Sequence, residues 1–141
     1  MLRSAAGFPW LTLSQAFWVA RVMTAVFFLA HALTRIGLNT IPQFGVFMEN
    51  AGFPAGVAVV WAITIVEIIA GALLILRVQV RWAALALFSI VAGGIVLIHA
   101  KLGWFVGEHG VGGSEYSVAL IVLLLLIAVE DRARAACKAA L

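Results

Sequence analysis

The stretch LSQAFWVARVMTAVFFLAHAL, residues 13–33, decides the class of this fold. Crossing the hydrocarbon of a bilayer takes roughly 20 mainly apolar residues in a helix, and this run has that length. Its only ionisable residues are Arg21 and His31. The whole chain agrees: of 141 residues, 65% are hydrophobic and 11% charged, and the mean hydropathy is +1.17. A soluble globular domain carries nearer ~25% charged residues. The formal charge of +3 does not point to nucleic acid, because the cations gather at the ends of apolar segments, as membrane orientation requires.

Working outward, three more apolar runs follow at residues 54–76, 82–100 and 115–129. The last is short for a full crossing, so its ends must reach toward the interfaces or the helix must stand upright. The expected fold is all-α: an integral membrane bundle of four transmembrane helices forming a single domain over residues 1–141. Only Arg77-Val78-Gln79-Val80-Arg81 separates the second and third runs, which makes them a tight hairpin. Between the first two lies NTIPQFGVFMENAGFP, residues 39–54. There Ile41, Phe44, Phe47, Met48 and Ala51 recur at helical spacing with polar residues between, the pattern of a short helix lying in the interface plane. Ala30-His31-Ala32 imitates a signal-peptidase site, but the apolar run before it is too long for a cleaved leader, so it is read as the first span. The single cysteine, Cys137, leaves no CxxC and no haem-attachment motif. Any dithiol chemistry therefore has to come from a partner.

If the spans alternate, Arg3, Arg77, Arg81, Arg132, Arg134 and Lys138 share one side, while Arg35 and Lys101 stand on the other. The positive-inside rule then places both termini in the cytoplasm of a multi-pass inner-membrane protein. Residues 99–116, HAKLGWFVGEHGVGGSEY, face outward.

Ionisable groups within spans are costly, roughly 2.5–3.5 kcal/mol each on insertion scales, which makes Arg21, His31, Glu67 and His99 functional candidates. A rise of about 1.5 Å per residue puts Arg21 about 12 Å, and Glu67 about 13–14 Å, above the cytoplasmic ends of their spans. That match suggests an Arg21–Glu67 ion pair that fixes helix register; the sharper alternative makes Glu67 a proton-carrying carboxylate tuned by Arg21. By the same ruler His31 and His99 reach the outer edge of the hydrocarbon at nearly equal height, about 25–27 Å. Arg35 follows His31 by one turn, and Glu115 and Tyr116 open the fourth span at that level.

Several chemistries suit this outer layer. A histidine and a carboxylate at the membrane edge can exchange protons with quinone carbonyls, with His31, His99 and Glu115 in that role and Arg35 and Tyr116 contacting the substrate. Two histidines facing across a bundle can also hold haem b. A metal ion would need several of His31, His99, Glu108, His109 and Glu115 to converge, without any HExxH or HxxxH motif to favour it. Haem and metal therefore rank behind quinone, and no metal-ligand set is assigned. The plainest reading is a hydrogen-bonded cap joining spans one, three and four. Gly110, Gly112 and Gly113 permit the turn into the fourth span, which Ser114 can cap and Glu115 suits through the helix dipole.

Taken in order, these residues carry a resemblance. Arg21, then FFLAHALTRI with His31 and Arg35, AGFP before span two, VEIIAGALLIL around Glu67, Arg81 with WAALAL, His99, and GWF followed by GGSEY are together similar to the DoxX family. That family comprises small four-helix membrane proteins and includes the DoxD-like subunits of thiosulfate:quinone oxidoreductase. The C-terminal AVEDRARAACKAAL departs from the family pattern, with Asp131 as a loose stand-in for its terminal aspartate. The resemblance implies a redox-associated membrane subunit that works with sulfur-handling or other redox partners. The expected function is thus the membrane subunit of a quinone-linked oxidoreductase, acting on reduced sulfur compounds or on a partner redox protein. The alternative is a non-catalytic accessory subunit in a larger respiratory or photosynthetic complex, with Gly71, Gly93 and Gly94 allowing close helix contact. Self-association in the bilayer is compatible with either.

Overall fold

A computed structural model describes residues 10–106 and 112–140, and every regular element among them is helical. The order is α1 (Leu13–Gly37), α2 (Ile41–Asn50), α3 (Gly56–Leu76), α4 (Val80–Leu97), a single 3-10 turn at His99–Lys101, and α5 (Glu115–Ala139). Three helical stretches are long and apolar enough to cross a membrane: Leu13–Gly37, Gly56–Leu76 and Val80–Lys101. In α5 the apolar stretch ends at Glu130-Asp131-Arg132, after which the helix continues as a charged extension.

Each start has a local cause. Thr12 caps α1 and forms a reciprocal capping box with Gln15, satisfying donors that a helix start leaves open. Pro42 stands in the first turn of α2, where a missing N–H costs nothing. The Glu49 side chain near the end of α2 accepts from the Gly56 amide at 3.1 Å, so α2 caps α3. These two helices approach closely at Gly45 and Gly56. A Cβ on Gly45 would lie 2.8 Å from the Val57 nitrogen, and one on Gly56 would sit inside the Gly45 carbonyl. The buried face of α2 is Ile41, Gly45 and Met48, while Phe47 points outward.

Helix α1 packs on α3 and α5, α3 on α4, and α4 on α5, so the four long helices close a ring, with α2 laid against α3. The seams are regular stripes. On α1 the buried positions are Arg21, Thr24, Ala25, Phe28 and Ala32; on α3 they are Gly56, Val60, Thr64, Glu67, Ala70, Gly71 and Leu74. Gly71 faces inward, where a Cβ would meet Leu29 at 3.0 Å. It serves packing within the chain rather than contact with another protein. At the other end of the ring, ion pairs tie the α3–α4 turn to α5. Arg81 pairs with Asp131 at 3.4 Å and Arg77 with Glu130 at 3.9 Å. Arg134 also pairs with Glu130 and donates to the Ser14 hydroxyl on α1 at 2.9 Å.

The expected Arg21–Glu67 pair is not formed. Glu67 instead pairs with Arg35, Nη1 to Oε2 at 3.0 Å. The same Nη1 donates to Thr64 Oγ1 at 2.7 Å, and the Thr64 hydroxyl donates onward to the Val60 carbonyl at 2.8 Å. Arg21 donates Nε–H to the Leu74 carbonyl at 3.0 Å, in the last turn of α3. Both arginines occupy the same stripe, fourteen residues apart, close to four turns of 3.6 residues. Glu67 takes the one nearer the α2 end because α3 runs antiparallel, and Leu74 lies two turns further toward the end that Arg21 occupies.

Arg35→Met and Glu67→Leu should each destabilise the fold by about 3–5 kcal/mol, because each strands a buried charge. The double variant should lose clearly less than their sum, whereas Arg21→Met combined with Glu67→Leu should be additive within about 0.5 kcal/mol. Unfolding in sodium dodecyl sulfate, followed by circular dichroism, measures both. Gly56→Ala should cost roughly 1–3 kcal/mol in the same assay by overpacking α2 against α3. Gly37→Ala, where an added Cβ meets nothing within 4 Å, should cost nothing.

Candidate functional site

The Arg35–Glu67 pair forms the floor of a cleft of about 600 Å³ bounded by α1, α2, α3, α4 and the start of α5. Helix α1 contributes Phe27, Phe28, His31 and Arg35, and α2 contributes Phe44 and Met48. The spacing explains the convergence. Phe28, His31 and Arg35 are three and four residues apart, so they stack along one side of α1. The Arg35 guanidinium lies 5.6 Å from the centroid of Phe44, a cation–π distance, and Phe44 stacks on Phe47 at 5.8 Å. The cation on the floor is thus roofed by an aromatic ring from α2.

The far wall is made by glycine. Gly93 and Gly94 both line the cleft, and a Cβ on Gly93 would meet nothing within 4 Å. Helix α4 ends at Leu97, and the chain bends at Ile98 into the 3-10 turn. That bend carries the His99 ring back toward Gly94, where an added Cβ would lie 3.9 Å from His99 Cδ2. His99 is therefore not the last residue of a continuous third helix, as a span to residue 100 implies. The backbone turn aims it inward. Its Nδ1 is buried and has no hydrogen-bond partner among the described residues. An unsatisfied buried nitrogen typically costs ~1–3 kcal/mol, which marks this atom as one that needs a partner.

Four of the residues singled out in the sequence therefore line one cleft: His31, Arg35, Glu67 and His99. The structure does not bring Glu115 and Tyr116 there. Glu115 is half-buried and accepts from the Val106 amide at 3.1 Å, while its own N–H donates to the Trp104 carbonyl at 3.1 Å. Ser114 donates both its amide and its hydroxyl to the Gly103 carbonyl, at 3.1 and 3.2 Å. A Cβ on Gly113 would collide with the carbonyls of Trp104 and Phe105. The polar motif GGSEY is thus a clasp that pins the segment 103–106 to the start of α5. Tyr116 is 66% exposed, directed away from the cleft. Glu108 and His109, considered above as ligands, lie outside the described residues. Among the described residues no three His, Cys, Asp or Glu side chains gather closely enough to hold a metal ion.

Sequence reasoning missed Thr64, Gly93 and Gly94 as site components. Thr64 lies three residues before Glu67 and so on the same face of α3, a signal that helical spacing carries. Adjacent glycines within an apolar span open space as readily as they permit helix contact, and here they open space.

The cleft combines an apolar surround, aromatic walls and a few converging polar groups, the usual make-up of a small-molecule site. Among comparisons with known proteins, a family model described as DoxX matches residues 16–100, more than half of the chain. That interval includes Arg35, Glu67, Thr64, the two cleft glycines and both cleft histidines. No curated protein and no solved structure matches the chain. The protein belongs to the DoxX family of membrane proteins.

Proposed function

We propose that this protein is the four-span inner-membrane subunit of a quinone-linked oxidoreductase, with the cleft at His31 and His99 as its quinone site. The observation that carries the reading is the cleft itself. It is largely apolar, about 600 Å³ in volume, and is lined by both histidines and by the Arg35–Glu67 ion pair. A quinone offers a flat apolar ring with a carbonyl acceptor on opposite edges. Phe28 and Phe44 suit the ring, and His99 and His31 suit the carbonyls as donors. The Arg35 guanidinium, its charge matched by Glu67, keeps further N–H donors at the floor of the cleft.

Helix α5 serves as the fourth span in this reading, because it packs between α4 and α1 and completes the ring. The arginines of the α3–α4 turn and of α5 favour a cytoplasmic location for that end and for both termini. The reaction balances as a two-electron exchange. Two reduced sulfur atoms joined as a disulfide release two electrons, and the quinone takes these with two protons to become a quinol. The histidines pass the protons at the carbonyl oxygens. The electrons arrive through a partner subunit, for which thiosulfate or another reduced sulfur compound is the proposed source. Haem b and a metal ion are not required by this scheme.

Short-chain quinone binding to the purified protein, followed by quenching of tryptophan fluorescence, tests the site directly. His99→Ala should weaken binding about tenfold, the loss of one buried hydrogen bond together with its packing. His31→Ala should also weaken it, whereas Tyr116→Ala should leave it unchanged. Unaltered binding in both histidine variants would overturn the assignment. In membranes retaining the partner subunits, the same two variants should lose thiosulfate-dependent quinone reduction.

A further inference from the structure

A second groove lies at the opposite end of the ring, between α4 and α5, with a volume of about 620 Å³. Its floor is buried Ala84 and Leu124. Ala84 on α4 and Ala128 on α5 leave it open where longer side chains would close it. Its walls are Leu85, Phe88, Leu125 and Val129. Both helices put their cation at the same end. On α4 the groove runs from Arg81 to Phe88, about two turns, and on the antiparallel α5 it runs from Arg132 to Leu124, nearly the same length. One end is therefore cationic and the remaining length is apolar.

The charges at that mouth are not balanced. Arg81 has Asp131 at 3.4 Å and is still 54% exposed along its side chain. Arg132 is exposed and has no acidic partner among the described residues. The mouth thus holds one positive charge in excess, presented by guanidinium groups, whose fork geometry matches phosphate oxygens. Trp82 beside them is 66% exposed, and an indole there is suited to the level of lipid headgroups.

We propose that this groove is a binding site for one anionic phospholipid. Its phosphate lies between Arg132 and Arg81, and an acyl chain lies along Leu85, Phe88 and Leu125. The charge pattern argues against a second copy of the chain as occupant. Two copies inserted in the same sense would bring their arginine ends together at one level, like charge against like. Basic pockets between transmembrane helices are a recurring form of headgroup recognition. The site is independent of the quinone cleft, which opens at the other end of the helices.

The test is native mass spectrometry of the full chain in a neutral maltoside detergent, titrated with phosphatidylglycerol or with phosphatidylcholine of the same acyl chains. The unaltered protein should retain one phosphatidylglycerol at least about tenfold more tightly than phosphatidylcholine. Arg132→Gln should remove most of that preference, and Ala128→Leu, which fills the groove without touching charge, should weaken retention of both lipids. Lys138→Gln removes a charge at the same end but outside the groove and should change retention by less than about twofold. Circular dichroism confirms that each variant folds. Equal retention of the two lipids overturns the proposal, as does a Lys138→Gln loss as large as that of Arg132→Gln. Full competition by glycerol phosphate, which has no acyl chain, or a dimer mass abolished by Ala128→Leu, overturns it as well.

Discussion

An ionised carboxylate buried among apolar helices is costly unless a cation meets it, and in this protein Glu67 is met by Arg35 at 3.0 Å. The rest of the arrangement follows from that constraint. The pair joins the middle of α3 to the last turns of α1, and Thr64 takes a further Arg35 hydrogen bond into the same seam. With its charge matched and its remaining bulk covered by Phe44, Arg35 can hold a polar floor at a depth where water is scarce. Replacing such a pair by apolar residues is often neutral or stabilising in other proteins. Its presence here is thus better explained by what it lends the cleft than by stability.

The remaining elements hold other groups against that floor. Helix α2 is short, yet it is fastened to α3 by the Gly45–Gly56 approach and by the Glu49 cap, and so it carries Phe44 and Met48 to the cleft. The break after Leu97 turns His99 inward. The clasp formed by Gly103, Trp104 and Val106 with Ser114 and Glu115 anchors both ends of the connection that follows that turn. A polar segment that looks like a site in the sequence thus acts as the fastening of one. At the far end the Arg81–Asp131 and Arg77–Glu130 pairs brace the α3–α4 turn without reaching the cleft.

Much of the architecture was legible in the sequence because a bilayer allows few solutions. Apolar length predicts the long helices, and the spacing of Ile41, Phe44 and Met48 predicts α2. The site was half legible. His31, Arg35, Glu67 and His99 stand out because ionisable residues are rare in spans, and they do converge. Their pairing was not legible. Arg21 and Arg35 repeat on the same face after four turns, so periodicity cannot choose between them. A depth ruler takes the start of α1 and the end of α3 as level, whereas Arg21, eight residues into α1, meets the Leu74 carbonyl two residues from the end of α3. The orientation of His99 depends on a backbone break at Ile98 that no residue type announces. Glu115 was misplaced because its partners are backbone groups of the preceding loop, which sequence patterns do not display.

The central claim is that the cleft between His31 and His99 receives a quinone. Photolabelling of the purified protein with an azido-quinone, followed by peptide mapping, tests it most directly. A quinone held in the cleft should leave adducts within residues 27–35 and 89–99, suppressed by excess unlabelled quinone and lost in the His31→Ala/His99→Ala double variant. Labelling confined to the α4–α5 groove at Arg81 and Arg132, or labelling that excess quinone does not suppress, would contradict it.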